Sequence, residues 1–486
     1  MVRKPGSVFA RDFEWTALTG FCGDPAPGAT LGLVHGRRRQ GKTLLLQELC
    51  ATLGGFYFAA TEATEADSLR LLAHALAEHA GEAVPLALRS WEDALLALLA
   101  LGEGEHADGG VPVVIDEFPY LCRAQPALPS IIQKALAPRS APRLRSRTRL
   151  VLCGSAITFM GRLLSGSAPL RGRAGLDLTV PTFEYRTAAA FWQVDDPALA
   201  LRLHAVVGGT PAYRTEYVRG DAPSGRADFD DWVCRTVLNP ASPLHREARY
   251  LLIEDTEVRD PALYHSVLGA IADGHTARGA IASYIGRPAD ALSHPLTVLE
   301  DAALVVREAD AVRANRPRYR IAEPLITFYH AVMRPEWSRL QRPGTAAEVW
   351  ADSRARFGSA VLGPHFEGLC REWTLRHASG ATLGGRPVRA SSGVINDRTG
   401  QAGHEVDVVA TDSSGRVLAV GEAKLGTTMG VGHLERLRRV RALLVAARRD
   451  AADARLLCFS GAGFTPELRA ERDATLVDLE RLYAGD

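Results

Sequence analysis

No apolar run in this 486-residue chain approaches the roughly 20 residues that a bilayer-spanning helix requires, so an integral membrane protein is not expected. Met1 to Pro5 carries early cations with no apolar stretch behind them, which gives no secretory signal and makes the cytoplasm the expected location. Close cysteine pairs are missing too. The seven cysteines (Cys22, Cys50, Cys122, Cys153, Cys234, Cys370, Cys458) stand far apart, which excludes the spacings that ligate zinc or exchange disulfides and leaves buried or free thiols. Nor is there an excess of one charge. Fifty-seven basic against 56 acidic residues leave a net charge of +1, so no global field draws nucleic acid, and any such contact must come from a local patch. Two arginine runs qualify: Arg139, Arg143, Arg145, Arg147 and Arg149 in a Pro-containing segment, and Arg436, Arg438, Arg439 and Arg441 in an expected helix. Runs of this kind are more often solvated surface than a binding site. Internal repeats and low-complexity tails are absent.

What remains is an ordinary globular composition, 47% hydrophobic and 23% charged, in a chain too long for one core. Single cores stop growing at roughly 250 to 300 residues, so roughly two to four domains are expected. Leu31 to His35, Gly55 to Ala60, Val111 to Ile115 and Arg149 to Gly154 read as apolar strands. They alternate with helices at Thr43 to Leu49, Leu69 to His79 and Trp91 to Leu101, a pattern that argues for a parallel sheet covered on both faces. Beyond Phe183 the pattern turns helical.

Gly36, Arg37, Arg38, Arg39, Gln40, Gly41, Lys42 and Thr43 spell Gly-x4-Gly-Lys-Thr where a strand gives way to a helix. In a phosphate-binding loop of this type glycines let backbone N–H groups turn inward, the lysine meets the β and γ phosphates, and the threonine ligates magnesium. Val113 to Glu117 supplies the second half, an apolar strand delivering two carboxylates at its C-terminal end, where open α/β sheets bind ligands. Asp116 is expected to hold magnesium through its water shell and Glu117 to orient or deprotonate the attacking water; a magnesium role for both is the plainer alternative.

Phe9, Ala10, Arg11 and Glu14, the block Asp116 to Leu121 (Asp-Glu-Phe-Pro-Tyr-Leu), and Gly208, Gly209, Thr210, Pro211 and Tyr213 resemble the archaeal-type ATPases. That family belongs to the AAA+/STAND group of P-loop proteins, and the resemblance covers about residues 8 to 220. It implies that Ser155 stands in the position that senses the γ-phosphate, although a serine capping a strand end reads equally well. It also implies that Arg173, with Arg171 as substitute, supplies an arginine to the nucleotide in cis or to a neighbouring subunit.

From Ala262, three helices (Leu263 to Ala272, Arg278 to Ile285, Ala289 to Ala303) precede two short strands, Leu304 to Arg307 and Arg318 to Ile321, which is the layout of a winged helix. The third helix lacks lysine and arginine and carries Pro295, expected to kink or break it. The cations lie on the wing, as Arg307, Arg313, Arg316, Arg318 and Arg320, so packing is favoured over reading of DNA bases. Met333 to Ala347, with Pro335, Pro343 and Gly344, reads as a linker.

After it come a helix near Phe357 to His377, strands Val388 to Val394, His404 to Ala410 and Arg416 to Glu422, a basic helix His433 to Ala447 and a strand Arg455 to Phe459. Glu422 and Lys424 share one strand face, Asp407 arrives from the adjacent strand and Glu367 lies on the preceding helix. Two carboxylates beside an ammonium make a metal-nuclease constellation; a surface hairpin with an ordinary Glu and Lys is the alternative. Spacing and element order resemble the PD-(D/E)xK nuclease superfamily over about residues 350 to 470.

The expected architecture is therefore an α/β P-loop parallel-sheet ATPase core (1–182), a helical lid (183–257), a winged helix (258–332), a linker (333–349) and a C-terminal α/β restriction-endonuclease-like domain (350–486). The expected ligands are ATP and Mg2+ at Thr43 and Asp116, with a second metal at Asp407 and Glu422, and DNA and a second copy of the chain as partners. The alternatives are an ATP-driven conformational switch with a silent nuclease-like domain, and a winged-helix regulator.

Overall fold

The computed structural model describes residues 2–104, 109–253, 260–312, 316–397 and 402–486; Arg313 and the 257/258 boundary fall outside them. The chain forms two compact units, 2–182 and 183–253 with 260–486. Among the described residues no helix is long and apolar enough to cross a membrane.

In the first unit, β1 (Thr30–His35), β2 (Phe56–Ala59), β3 (Val111–Asp116), β4 (Thr148–Gly154) and β5 (Ala174–Thr179) form one sheet in the order β2-β3-β4-β1-β5, with every pair parallel. Burial on both faces explains why β1, β3 and β4 read as near-continuous apolar runs: Leu31, Leu33, Val113, Val114, Leu150 and Val151 are at most 1% exposed. The edge strand β5 was not expected. Its alternation is half-solvated, so it offers no apolar run. Because β4 separates β1 from β3, the C-terminal ends of these three strands converge on one rim.

The arginine run at 139–149 belongs to this unit and is mostly structural. Arg149 is fully buried and donates to the carbonyls of Gly28 (2.9 Å), Asp24 (2.6 Å) and Ala26 (3.1 Å). Arg143 donates to Ala29 O and Arg147 to Pro25 O. The Pro- and Gly-rich loop before β1 has carbonyls without a ladder, and these guanidiniums satisfy them. Arg145 pairs instead with Glu103 at 3.4 Å, and no partner of Arg139 is found among the described residues.

The second unit holds the expected lid, helix-ribbon and C-terminal elements together. One core runs from Trp192 and Trp232 through Leu268, Leu299 and Ile321 to Trp350 and Val361. A second joins Tyr185 and Leu201 to Phe366, Trp373, Phe459 and Leu482. Tyr185 Oη and Arg186 Nε both donate to Leu482 O, at 2.7 and 2.9 Å. Each such buried side chain contributes about 1.5–3 kcal/mol, so the C-terminal sheet is welded to the lid helices.

The expected linker at 333–349 is helical: Trp337–Leu340 and the start of Ala346–Arg356 lie there, with Leu340, Val349 and Trp350 buried. Pro343 and Gly344 mark the turn between those helices, which is why the composition read as a linker. The third of the three helices also differs from expectation. Ala289–Leu292 is a 3-10 turn and Ser293–Asp301 an α-helix, so Pro295 sits in the first helical turn, where no backbone bond is lost.

The ribbon is β6 (Val305–Glu308) paired antiparallel with β7 (Arg318–Ile321). The C-terminal sheet has β8 (Arg389–Asp397), β9 (Ala402–Thr411), β10 (Val417–Lys424), β11 (Arg455–Ser460) and β12 (Ala474–Asp478) in sequential order. β8 to β10 are antiparallel, β10 to β12 parallel. The short edge strand β12 had no sequence signal.

Candidate functional site

β1 ends at His35 and the chain turns through Gly36 and Gly41, whose φ angles of 151° and 84° suit glycine. A Cβ at Gly36 would run into Val180 O and Gln40 Oε1. Gly41 is the N-cap of the helix Lys42–Leu53 and offers no side-chain cap, so that helix's first N–H groups remain for an anion. Lys42, only 4% exposed, donates from Nζ to Gly36 O and Arg37 O, both at 2.7 Å. Burial pulls its pKa below the ordinary lysine value, with Asp116 and Glu117 opposing. An ammonium desolvated in this way favours an incoming phosphate.

Thr43 Oγ1 lies 2.8 Å from Asp116 Oδ2, across from the end of β3. A hydroxyl and a carboxylate are the hard oxygen donors that Mg2+ takes, so these two residues would hold it, Thr43 directly and Asp116 through its water shell. Tyr57 Oη donates to the same Oδ2 at 2.7 Å, and the Glu117 N–H to Oδ1 at 2.9 Å, which fixes the Asp116 carboxylate. Glu117 adopts φ 51°, a left-handed conformation unusual for a non-glycine residue, and accepts from Ser155 Oγ at 2.9 Å. Ser155 follows β4, between β1 and β3, so it faces both halves of the site.

Arg11 was noticed in the sequence only through family resemblance. Buried, it pairs with Glu14 at 3.0 Å and donates to Gln40 O at 3.0 Å and Pro181 O at 2.8 Å, bracing the loop from outside. Tyr57 was missed altogether, since an isolated tyrosine on a strand carries no signal. Arg38 donates to Tyr120 Oη, on the helix after Glu117.

Arg173 does not join this cluster. It precedes Ala174, which pairs with Leu31 at the far end of β1 from Gly36. Five strand residues separate the two ends, about 16 Å at 3.3 Å per residue, beyond the reach of an arginine side chain. Arg171 lies in the same turn and donates to Gly166 O.

In the second unit, Glu422 and Lys424 share one face of β10, with Oε1 and Nζ 3.3 Å apart. Gly421 pairs with Val408, so Asp407 comes from the adjacent β9, and its Oδ2 accepts the Ala423 N–H at 2.8 Å. Glu367 lies on the helix Gly363–Arg376. Burial, then the charge of Asp407, pushes the Glu367 carboxyl up to about 7, and burial also raises Asp407. Lys424 and Arg436 both pair with Glu422 Oε1, while the buried Glu422 Oε2 has no hydrogen-bond partner. Two carboxylates and an ammonium fit a divalent cation chemically. Yet among the described residues no three His, Cys, Asp or Glu side chains are gathered to hold one.

Of the arginines expected on the wing, Arg318 and Arg320 have partners, while Arg307 and Arg316 are exposed. Arg318 pairs with Asp310 (3.3 Å) and Glu405 (3.9 Å), Arg320 with Glu308 (2.8 Å), and Glu308 reaches Arg371 (4.0 Å), which donates to Asp407 O (3.1 Å). Ala311 N donates to Ser392 O of β8. The Arg318–Glu405 and Ala311–Ser392 contacts lay part of the ribbon against the C-terminal sheet. On the basic helix Val431–Ala446, Arg436 binds Glu422 and Arg438 binds Glu471 and Asp473.

No family model matches the chain. An uncharacterized protein of Methanocaldococcus jannaschii is 25% identical over 313 residues, which is 64% of this chain and 65% of that protein, so the chain matches less than two thirds of that relative's length. Among solved structures, the Walker-type ATPase of Pyrococcus abyssi is 21% identical, covering 67% of this chain and 98% of its own, with a TM-score of 0.49. The Aeropyrum pernix ORC2 protein, solved as ADPNP and ADP complexes, is 16% identical over 74% of this chain and 97% of its own, with a TM-score of 0.43. The chemistry of the site therefore rests on its own residues.

Proposed function

We propose that the protein binds and hydrolyses ATP in the manner of the AAA+/STAND ATPases and couples this to a nuclease-like domain acting on DNA. The observation that carries the first part is the joining of Lys42, Thr43, Asp116, Glu117 and Ser155 at one rim of a parallel sheet, by contacts of 2.8 to 2.9 Å from Thr43 to Asp116 and from Ser155 to Glu117. Lys42 and the helix N-terminus hold the phosphates, Thr43 and Asp116 hold magnesium, and Glu117 takes a proton from the attacking water. Magnesium, when bound, neutralises phosphate charge. The test is ATP turnover by the purified chain with and without single-stranded, double-stranded and branched DNA, alongside cleavage of the same DNAs. Absence of turnover under all conditions refutes the first part.

Glu117→Gln keeps the shape of the side chain and loses its basicity. Turnover is expected to fall about a hundredfold or more, with ATP affinity nearly unchanged. A parallel loss of binding makes Glu117 a metal ligand instead.

Arg173, which precedes the strand end paired with Leu31 rather than the end at Gly36, is proposed to act on the nucleotide of a neighbouring subunit. Arg173→Ala should cut turnover by about a thousandfold with little effect on affinity. Mixing it with an inactive Lys42→Ala chain should restore activity, because the second chain lends its Arg173 to an intact loop. No recovery removes the composite site.

A second reading, the conformational switch with a silent nuclease-like domain, draws support from the dispersed carboxylates of the second unit. The winged-helix regulator is less favoured, because the third helix carries no lysine or arginine and Arg318 and Arg320 of the ribbon are engaged by Asp310, Glu405 and Glu308.

A further inference from the structure

β10, β11 and β12 run parallel, so their first residues stand together at one end of the sheet, opposite the end that carries Glu422 and Lys424. A cavity of about 680 Å³ opens there, within the second unit. Its cations are the guanidiniums of Arg416, just before β10, Arg441 on the helix Val431–Ala446, Arg455 at the start of β11 and Arg472 in the turn before β12. Two of them are already used. Arg416 donates to Asp412 and to Gly384 O, both at 3.3 Å, and Arg441 donates to Ala454 O at 3.1 Å. Arg455 and Arg472 are exposed, and no hydrogen bond or ion pair of either is found among the described residues.

Three carboxylates line the same cavity. Asp473 is spent on Arg438, which donates to both of its oxygens at 2.6 and 3.0 Å. Asp450 lends only its backbone carbonyl, to Val417 N at 2.8 Å, and no side-chain partner of Asp450 or Asp453 is found among the described residues. Two guanidiniums and two carboxylates thus share one cavity without pairing with one another. Such a site fits a ligand that is anionic at one end and carries hydrogen-bond donors at the other: a guanidinium fork takes phosphate oxygens through parallel N–H bonds, and a carboxylate only accepts. A long polyanion would be opposed by Asp450 and Asp453. Leu383, Val417 and Leu418 add apolar wall for a carbon skeleton, and the volume falls in the range of small-molecule sites, roughly 300–1,000 Å³.

We propose that this cavity binds a sugar phosphate, free or as part of a nucleotide: Arg455 and Arg472 take the phosphate, and Asp450 and Asp453 accept from the sugar hydroxyls. The inference rests neither on the nucleotide site of the first unit nor on the Asp407 and Glu422 cluster, since Glu422 stands near the other end of β10.

The experiment is isothermal titration of the full chain without divalent metal, with Lys42→Ala present throughout so that the loop of the first unit contributes least. The probes are ribose-5-phosphate, adenosine monophosphate, inorganic phosphate, adenosine and a short single-stranded DNA. Both sugar phosphates are expected to bind saturably. Arg455→Gln and Arg472→Gln should each weaken that binding by about tenfold, and Arg455→Lys by less, since it keeps the charge and loses the fork. Asp453→Ala should weaken ribose-5-phosphate and tighten inorganic phosphate, a split that general damage to the fold would not give. Arg139→Gln in the first unit is the matched control and should change nothing, and thermal unfolding checks that each variant folds. Tighter binding of ribose-5-phosphate or of adenosine monophosphate tells whether the source is the free sugar phosphate or the nucleotide. Equal binding in both glutamine variants, adenosine bound as tightly as its phosphate, DNA bound more tightly than either sugar phosphate, or no saturable binding by the parent chain each overturns the proposal.

Discussion

Lys42→Ala is expected to abolish productive ATP binding and to lower hydrolysis by at least about a hundredfold, the scale of losing one preorganised charge at the reacting phosphates. The structure gives this lysine two tasks. Its ammonium is 4% exposed and braces the loop through Gly36 O and Arg37 O, and it is the cation that the loop's geometry offers to a phosphate. Burial lowers its pKa, and phosphate charge would raise it again. Below the lowered value the ammonium is present before binding, so affinity is flat with pH. Above it, binding must take up a proton, and affinity should weaken by up to about tenfold per pH unit until the bound-state pKa is reached. Fluorescent-nucleotide titration without divalent metal, repeated across pH, reads both effects, and residual binding by Lys42→Ala should lack the pH dependence. Near-normal turnover by Lys42→Ala would remove the nucleotide site from these residues.

The nucleotide site was legible because its chemistry is local. Gly36 to Thr43 and Asp116 with Glu117 are two contiguous pieces, and the buried parallel strands that carry them leave unmistakable apolar runs. What joins those pieces was not legible. Tyr57 reaches Asp116, Arg11 reaches Gln40 O and Ser155 reaches Glu117 across strand order, which single-sequence periodicity does not encode. One signal was overlooked: the chain has only four lysines (Lys4, Lys42, Lys134, Lys424), and two of them occupy the two sites where an ammonium is wanted. Everywhere else arginine carries the positive charge, largely in structural contacts such as Arg149 to Gly28 O.

In the second unit the alternation of Glu422 and Lys424 was readable, since strand side chains two apart share a face. The ion pairs around them were not. Arg318 and Arg320 looked like wing cations because Glu405 is brought to Arg318 by the packing of ribbon against sheet, and Glu308 to Arg320 by the strand pairing of the ribbon itself. The Pro- and Gly-marked turns at 343 and 344 looked like a linker because composition reports a turn without reporting what its flanks bury.

Asp407→Ala and Lys424→Ala are each expected to eliminate divalent-metal-dependent DNA cleavage, by at least about a hundredfold, if the second unit is a nuclease. The reasoning is electrostatic. Asp407 and Glu422 stand on adjacent strands, burial raises the Asp407 carboxyl, and Glu422 is held by Lys424 and Arg436, so the charges at this site depend on one another. In the nuclease reading a divalent cation would join the two carboxylates, and the ammonium beside it would orient a water against a phosphodiester. Both residues belong to the compact unit that excludes Lys42 and Asp116, so ATP turnover should remain largely intact in the two variants. Cleavage by wild type and by each variant, compared over Mg2+ and Mn2+ and over single-stranded, double-stranded and branched DNA, decides the matter. Equal cleavage by wild type and Asp407→Ala would place the activity elsewhere. No cleavage by wild type with any metal or DNA form, while ATP is still turned over, would leave the switch as the reading that the pairing of Glu422 with Lys424 and Arg436 supports.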